Sequence, residues 1–137
     1  MSKYIRSQIA DATYFFTLTT AQRQSQLLAE HIHLFRQAYQ RANALHPFTT
    51  IAISVLPNHL HAIWQMPVND GDYALRWRMI KSNLSRNFSA TKTRSDSKIK
   101  HRIKGIWQRR YWEHQIRGDV DLQRHVDYIH YSPVKHG

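Results

Sequence analysis

The chain has 137 residues, with twenty Lys and Arg against nine Asp and Glu, for a formal net charge of +11. That length suits one domain built on a single core. The chain contains no cysteine, which excludes disulfides, zinc ribbons and thiol catalysis and suits a reducing cytosol; no apolar run approaches the roughly 20 residues of a membrane span.

The N-terminus, Met1 to Arg6, lacks the apolar core of a secretory signal. Residues 13 to 20 are rich in β-branched and aromatic types and read as a strand, with Tyr14, Phe16 and Leu18 on one face. Leu28, Ile32, Phe35, Tyr39 and Ala42 then recur as one apolar stripe, which predicts a helix from about Gln26 to Ala44. Pro47 stops it. Phe48 to Leu56 is strand-like, and Pro57-Asn58 punctuates it. His59 to Met66 is the next strand, so the pair reads as an antiparallel hairpin.

Two histidines in that second strand carry the argument. Side chains alternate along a strand, so His59 and His61 share a face, about 7 Å apart at their Cα atoms. Two imidazoles converging in this way make a bidentate metal site. The bland alternative is a pair of satisfied structural histidines. His31 and His33 have the same spacing but lie in the predicted helix, where i and i+2 diverge.

Pro67 and Val68 to Asp72 make a turn. Tyr73 to Phe88 reads as a helix with Leu75, Met79 and Leu84 inward and Arg76, Lys81 and Arg86 outward. Residues 89–104 are polar, basic and rich in Ser and Thr, and read as a mobile loop. Ile106 to Ile116 predicts a fourth strand. A last helix is expected from about Val120 to Tyr131, capped by Asp119 or Asp121 and ended by Pro133. Its apolar stripe is Leu122, Val126 and Ile129. Asp121, His125, Tyr128 and Ser132 fall on another, polar face, so the Tyr128 hydroxyl can point into a site.

The order β-α-β-β-α-β-α predicts a ferredoxin-like α+β sandwich, an antiparallel sheet with helices on one face and an extra C-terminal helix carrying the tyrosine. The first and third strands would be central, and the third bears the His pair. The charge is localised too. Arg76 to Arg110 holds twelve basic residues and one acid, Asp96, while the rest of the chain balances eight against eight. Such a field attracts a polyanion, and nucleic acid is the first candidate. Arg76, Lys81, Arg86, Arg109 and Arg110 are the candidate phosphate contacts. Trp77, Trp107, Tyr111 and Trp112 interleave with them and suit stacking on unpaired bases.

The strand-borne His59-Leu60-His61 is similar to the His-hydrophobic-His motif of HUH single-strand endonucleases. Pro57-Asn58-His59-Leu60-His61, Trp107-Gln108, Tyr111-Trp112, Tyr128-Ile129 and Pro133-Val134-Lys135-His136-Gly137, in that order, resemble REP-associated tyrosine transposases, relatives of the single-tyrosine transposases of IS200/IS605 elements. The resemblance spans nearly the whole chain. It implies that His59 and His61 bind Mg²⁺ or Mn²⁺, that Tyr128 is the nucleophile, and that a single-stranded or hairpin DNA is the partner. It implies a covalent 5′-phosphotyrosine with a free 3′-hydroxyl. In the family a Gln or Asn completes the metal site one turn after the tyrosine; here that position is Ser132, a shorter and poorer ligand. Family members continue past the His-Gly motif, so a C-terminal tail is expected to be missing here. A monomer is the expectation on the same ground.

Two function classes follow. One is a metal-dependent DNA nicking and joining enzyme. The other is a DNA-hairpin-binding module of the same fold with catalysis impaired at Ser132. A rolling-circle initiator shares the motif on a larger chain, and an RNA-binding ferredoxin-like protein would leave the His pair without a role.

Overall fold

The computed structural model describes residues 8–21, 26–91, 107–108 and 110–136, without the side chains of 88–91 and 132–136. Alternation shapes the first element. β1 (Thr13–Thr19) turns Tyr14, Phe16 and Leu18 to one side and Phe15 to the other. β2 (Thr49–Leu56) and β3 (His59–Gln65) form the expected hairpin about Pro57-Asn58. With β4 (Trp112–Gln115) they make a four-stranded sheet in the order β2-β3-β1-β4, antiparallel at every pairing. β1 and β3 are therefore central. β4 is shorter than the expected Ile106–Ile116 strand. An isolated bridge, Thr20 to Trp107, continues its line.

The predicted single helix is two. α1 (Leu27–Glu30) and α2 (Ile32–Leu45) meet at His31, which leaves helical geometry at φ −125° and ψ 37°. No proline or glycine stands there to explain the break. Leu27 and Leu28 of α1 are both buried. α3 (Tyr73–Thr91) starts on Asp72, whose Oδ1 accepts from Leu75 N at 3.0 Å, a side-chain cap on the helix start. It runs three residues into the stretch expected to be loop; 92–104 lie outside the described residues.

α2 and α3 pack on the Tyr14–Phe16–Leu18 face. Trp64 stacks on Phe48 at 3.9 Å and on Trp77 at 4.2 Å between ring centroids. The Tyr39 hydroxyl accepts from Trp64 Nε1 at 2.8 Å and meets Thr50 Oγ1 at 2.6 Å. Burial pushes its phenol up to about 12, so it stays neutral.

Two expected DNA contacts belong to this core instead. Trp77 is 1% exposed and cannot offer a face to a base. Arg76 is also 1% exposed. Its guanidinium donates to the carbonyls of His46, Pro47 and Asp72 and pairs with Asp70 at 3.2 Å. Tyr73, Arg76, Trp77, Ile80 and Leu84 form the inward stripe of α3. An arginine fits it because the surrounding carbonyls satisfy its donors.

α4 (Gly118–His136) covers the opposite face of the sheet. Phe15, Ile63 and Ile129 make a second, smaller core there, with Ile116, Leu122 and Val126 packed around it. The molecule is thus layered as helices, sheet, helix. α4 does not end at Pro133; the helical backbone continues to His136 although Pro133 lacks an N–H for the ladder. No described helix is long and apolar enough to cross a membrane.

Candidate active site

Strand register sets the site. On the α4 side of the sheet, cross-strand partners form rows: Ala52, Ile63, Phe15 and His114; then Ser54, His61, Thr17 and Trp112; then His59 beside Thr19. α4 covers the first row through Ile129 and Val126. In the second row Ser54 and His61 stay buried while Trp112 is exposed at its far end, and His59 in the third row is half-buried. His61 is 3% exposed, and Tyr128 is 41% exposed.

The His pair converges as strand geometry requires. The two rings lie 4.9 Å apart at their centroids, edge to face at 78°. Each is held from behind. His59 Nδ1 donates to Asn58 Oδ1 at 2.7 Å. His61 Nδ1 lies 2.9 Å from Thr17 Oγ1. Such contacts fix ring orientation and tautomer and make Nε2 the ligand atom that each imidazole would present. Two oriented, neighbouring imidazoles fit a divalent ion.

Tyr128 packs against the inner of the two, His61. Its ring packs edge-on to His61 at 5.1 Å and to Phe15 at 6.1 Å. Phe15 also stacks on His61, 5.7 Å away. One strand, β3, and one helix, α4, thus bring His61 and its neighbour His59 together with Tyr128, which is 67 residues from His61 in sequence.

A second cluster anchors the start of α4. Asp121 Oδ2 accepts from Arg117 N and from His114 Nε2, each at 2.8 Å. His125 Nδ1 lies 3.2 Å from Asp121 Oδ1 and 2.8 Å from the Asp121 carbonyl. The hydrogen bonds from Arg117 first and His114 second hold the Asp121 carboxyl below its usual range. The His114 and His125 rings stack at 4.8 Å, and His125 packs on Phe15 at 4.7 Å. The three side chains have ligand atoms within 4.8 Å of one another, so they too could hold a metal ion.

A protein of Escherichia coli K12 named "REP-associated tyrosine transposase" is 40% identical to this chain over 137 residues, covering all of the chain and 75% of the relative. A Haemophilus influenzae protein that carries the same name provisionally is 43% identical over 138 residues, covering all of the chain and 78% of the relative. This chain belongs to the REP-associated tyrosine transposases. A solved structure of a REP-associated tyrosine transposase bound to a REP hairpin superposes with a TM-score of 0.85 at 40% identity, over all of this chain and 75% of that one. A Deinococcus radiodurans R1 protein, named provisionally as a transposase, shares the fold with a TM-score of 0.59 at 17% identity. No protein-family model matches.

Within the transposase fold, the other expected site residues scatter. Ser132 lies on α4, one turn beyond Tyr128, with its side chain outside the described residues. Arg110 is exposed on the β4 side of the sheet. Lys81 reaches over Trp107 and Tyr111, 5.8 and 5.2 Å from their ring centroids. Arg86 is exposed, and its guanidinium bonds to Asn83 Oδ1. Arg109 lies outside the described residues. Thr17, Asn58, His114 and Asp121 contact the candidate site or its helix, and sequence reasoning passed them over or gave them other work. Asn58 had a signal, since it adjoins the motif. Thr17 and His114 become visible only once strand register is known.

Proposed function

We propose that this transposase nicks and rejoins single-stranded DNA beside a hairpin, through a covalent bond between DNA and Tyr128. The observation that carries the proposal is the Tyr128 ring lying 5.1 Å from His61, beside a His59–His61 pair whose rings are 4.9 Å apart. A hairpin partner is supported by the REP hairpin bound to the transposase of the same fold.

The chemistry is an in-line transesterification. The Tyr128 oxygen attacks phosphorus, the bond from phosphorus to the 3′-oxygen breaks, and that oxygen takes a proton to become a 3′-hydroxyl. The phenolic proton leaves to solvent or a nearby base. A phosphotyrosine conserves the bond for rejoining. A divalent ion, Mg²⁺ or Mn²⁺, held by His59 and His61 would polarise a non-bridging phosphate oxygen. The imidazoles favour Mn²⁺ by ligand type, since Mg²⁺ prefers oxygen donors. Ser132 sits where a third ligand would come from α4. Asn58 and Thr17 keep the two rings aligned. The His114–Asp121–His125 cluster ties α4 to β4 and so keeps Tyr128 in register with the metal ligands. Lys81, Arg86 and Arg110 supply charge for the DNA backbone.

A 5′- and 3′-labelled hairpin with single-stranded extensions tests this. Cleavage should need Mn²⁺ or Mg²⁺, stop with EDTA, and be lost in His59→Ala and His61→Ala. Cleavage that persists in EDTA would overturn the reading. Tight hairpin binding without cleavage in any metal would mean a binding module.

A further inference from the structure

The sheet face that carries His61 does not end at β1. Its row continues through Thr17 to Trp112 on β4. Trp112 is 62% exposed, whereas Trp64 and Trp77 are at 0% and 1%. A large indole left in water on a sheet face calls for an occupant, because its apolar area gains by being covered. Beside it lies a cleft of about 340 Å³ lined by Thr17, Thr19, Gln108, Arg110, Tyr111 and Trp112. That is within the range of clefts that hold small planar ligands.

Its chemistry is mixed in a particular way. Trp112 offers an aromatic face. Arg110, exposed at the lip, offers a cation. Gln108 and Thr19 offer side-chain donors and acceptors, and Gln108 N already donates to the Thr19 carbonyl at 2.9 Å, which fixes that wall. An aromatic plate, a cation and an amide together match a nucleotide: base on the plate, phosphate on the cation, base edge on the amide. Trp112 stands two strand spacings from His61, about 10 Å. That is the reach of a nucleotide adjoining a phosphate held at the His pair.

We infer that the Trp112 cleft binds one unpaired nucleotide of the DNA strand next to the phosphate that Tyr128 attacks. The base stacks on Trp112, Arg110 holds a backbone phosphate, and Gln108 reads the base edge. A duplex cannot use this site, because paired bases do not expose their faces. The inference rests on the proposed DNA-cleaving function and adds the place where the single strand is gripped.

The test compares Trp112→Ala and Trp112→Phe with the wild-type protein. Each is titrated with a DNA hairpin carrying a single-stranded extension, and with the same hairpin blunt. Trp112→Ala should weaken binding of the extended hairpin by about one to two orders of magnitude, the worth of one base stacked on an aromatic ring. It should leave the blunt hairpin unchanged, and Trp112→Phe should keep most of the affinity. Abasic substitutions along the extension should reveal one position whose loss equals that of Trp112→Ala and does not add to it. Equal weakening of both hairpins, or none for either, would overturn the inference. So would full additivity at every position. If the wild-type protein cleaves the extended hairpin while these results fail, the cleft is wrong and the function stands. If the wild-type neither binds nor cleaves it, the function itself has failed and the cleft with it.

Discussion

Thr17 and Asn58 each hold one imidazole of the His pair by its Nδ1. Partners of this kind are worth about 10- to 100-fold in metal affinity. Thr17→Val keeps the shape and removes the oxygen. Mn²⁺ affinity, measured by titration calorimetry, should fall by that factor. An unchanged affinity would mean that stacking on Phe15 alone orients His61. Arg76 makes a different prediction. It is buried and satisfied by three carbonyls and one carboxylate. Arg76→Ala would leave the buried carbonyls without their donor and open a void, at a cost of about 2–5 kcal/mol. Urea unfolding checks it. A loss below about 1 kcal/mol would return Arg76 to the DNA face where its charge had suggested it belonged.

Among elements, the turn before α3 is held tightly at Gly71. A Cβ on Gly71 would lie 2.4 Å from the Gln8 carbonyl oxygen, and backbone cannot yield as a side-chain tip can. Gly71→Ala should therefore lower stability by about 1–3 kcal/mol, seen as a lower Tm, by forcing the Gln8–Ile9 segment away. The strands were legible in the sequence because period-two alternation survives in both faces of β1 and in the His pair of β3. Sheet order followed from the chain order of elements. Other features were not legible. The break at His31 has no proline or glycine to mark it. Arg76 looked outward because a charge was read as solvent-seeking, while carbonyl partners 29 and 30 residues away satisfied it. Pro133 was read as a stop, although the helical backbone continues past it. Of the candidate site, the shared face of His59 and His61 could be read from strand spacing and the polar side of Tyr128 from helical phase, while a nucleophile's role for Tyr128 came from the family resemblance. The places of Thr17 and His114 beside the His pair and α4 come from register across β1, which no local pattern encodes, and the same register puts Trp112, already an aromatic candidate in the sequence, in the row of His61.

At the scale of the whole molecule, charge and proton binding set the conditions of function. With +11 formal charge, log affinity for DNA should fall linearly with log salt, by about 0.7–0.9 per phosphate contacted. Arg110→Ala should reduce that slope by about one contact. The fold's own pH dependence has two opposing arms. Asp70 is held below the usual carboxylate range, by the Asp72 backbone bond first and Arg76 second, and Asp121 is held low likewise. Their stabilisation is present above the ordinary carboxylate range and is lost as pH falls through the lowered values. Burial pushes Glu113 up to about 7. Its contribution is full below the ordinary glutamate range and is lost as pH rises through about 7. Glu113→Gln should therefore be more stable than the wild type at pH 8, and the difference should shrink toward pH 5. A constant difference across that range, in urea melts, would remove Glu113 from the account.

The central claim is that Tyr128 is the residue joined to DNA. Covalent complexes formed with an extended hairpin and Mn²⁺ would be digested with nuclease and protease and mapped by mass spectrometry. The account predicts a nucleotide remnant on the peptide bearing Tyr128, and no adduct in Tyr128→Phe with hairpin binding intact. A remnant on Tyr131 or any other residue, or cleavage that survives Tyr128→Phe, would contradict it.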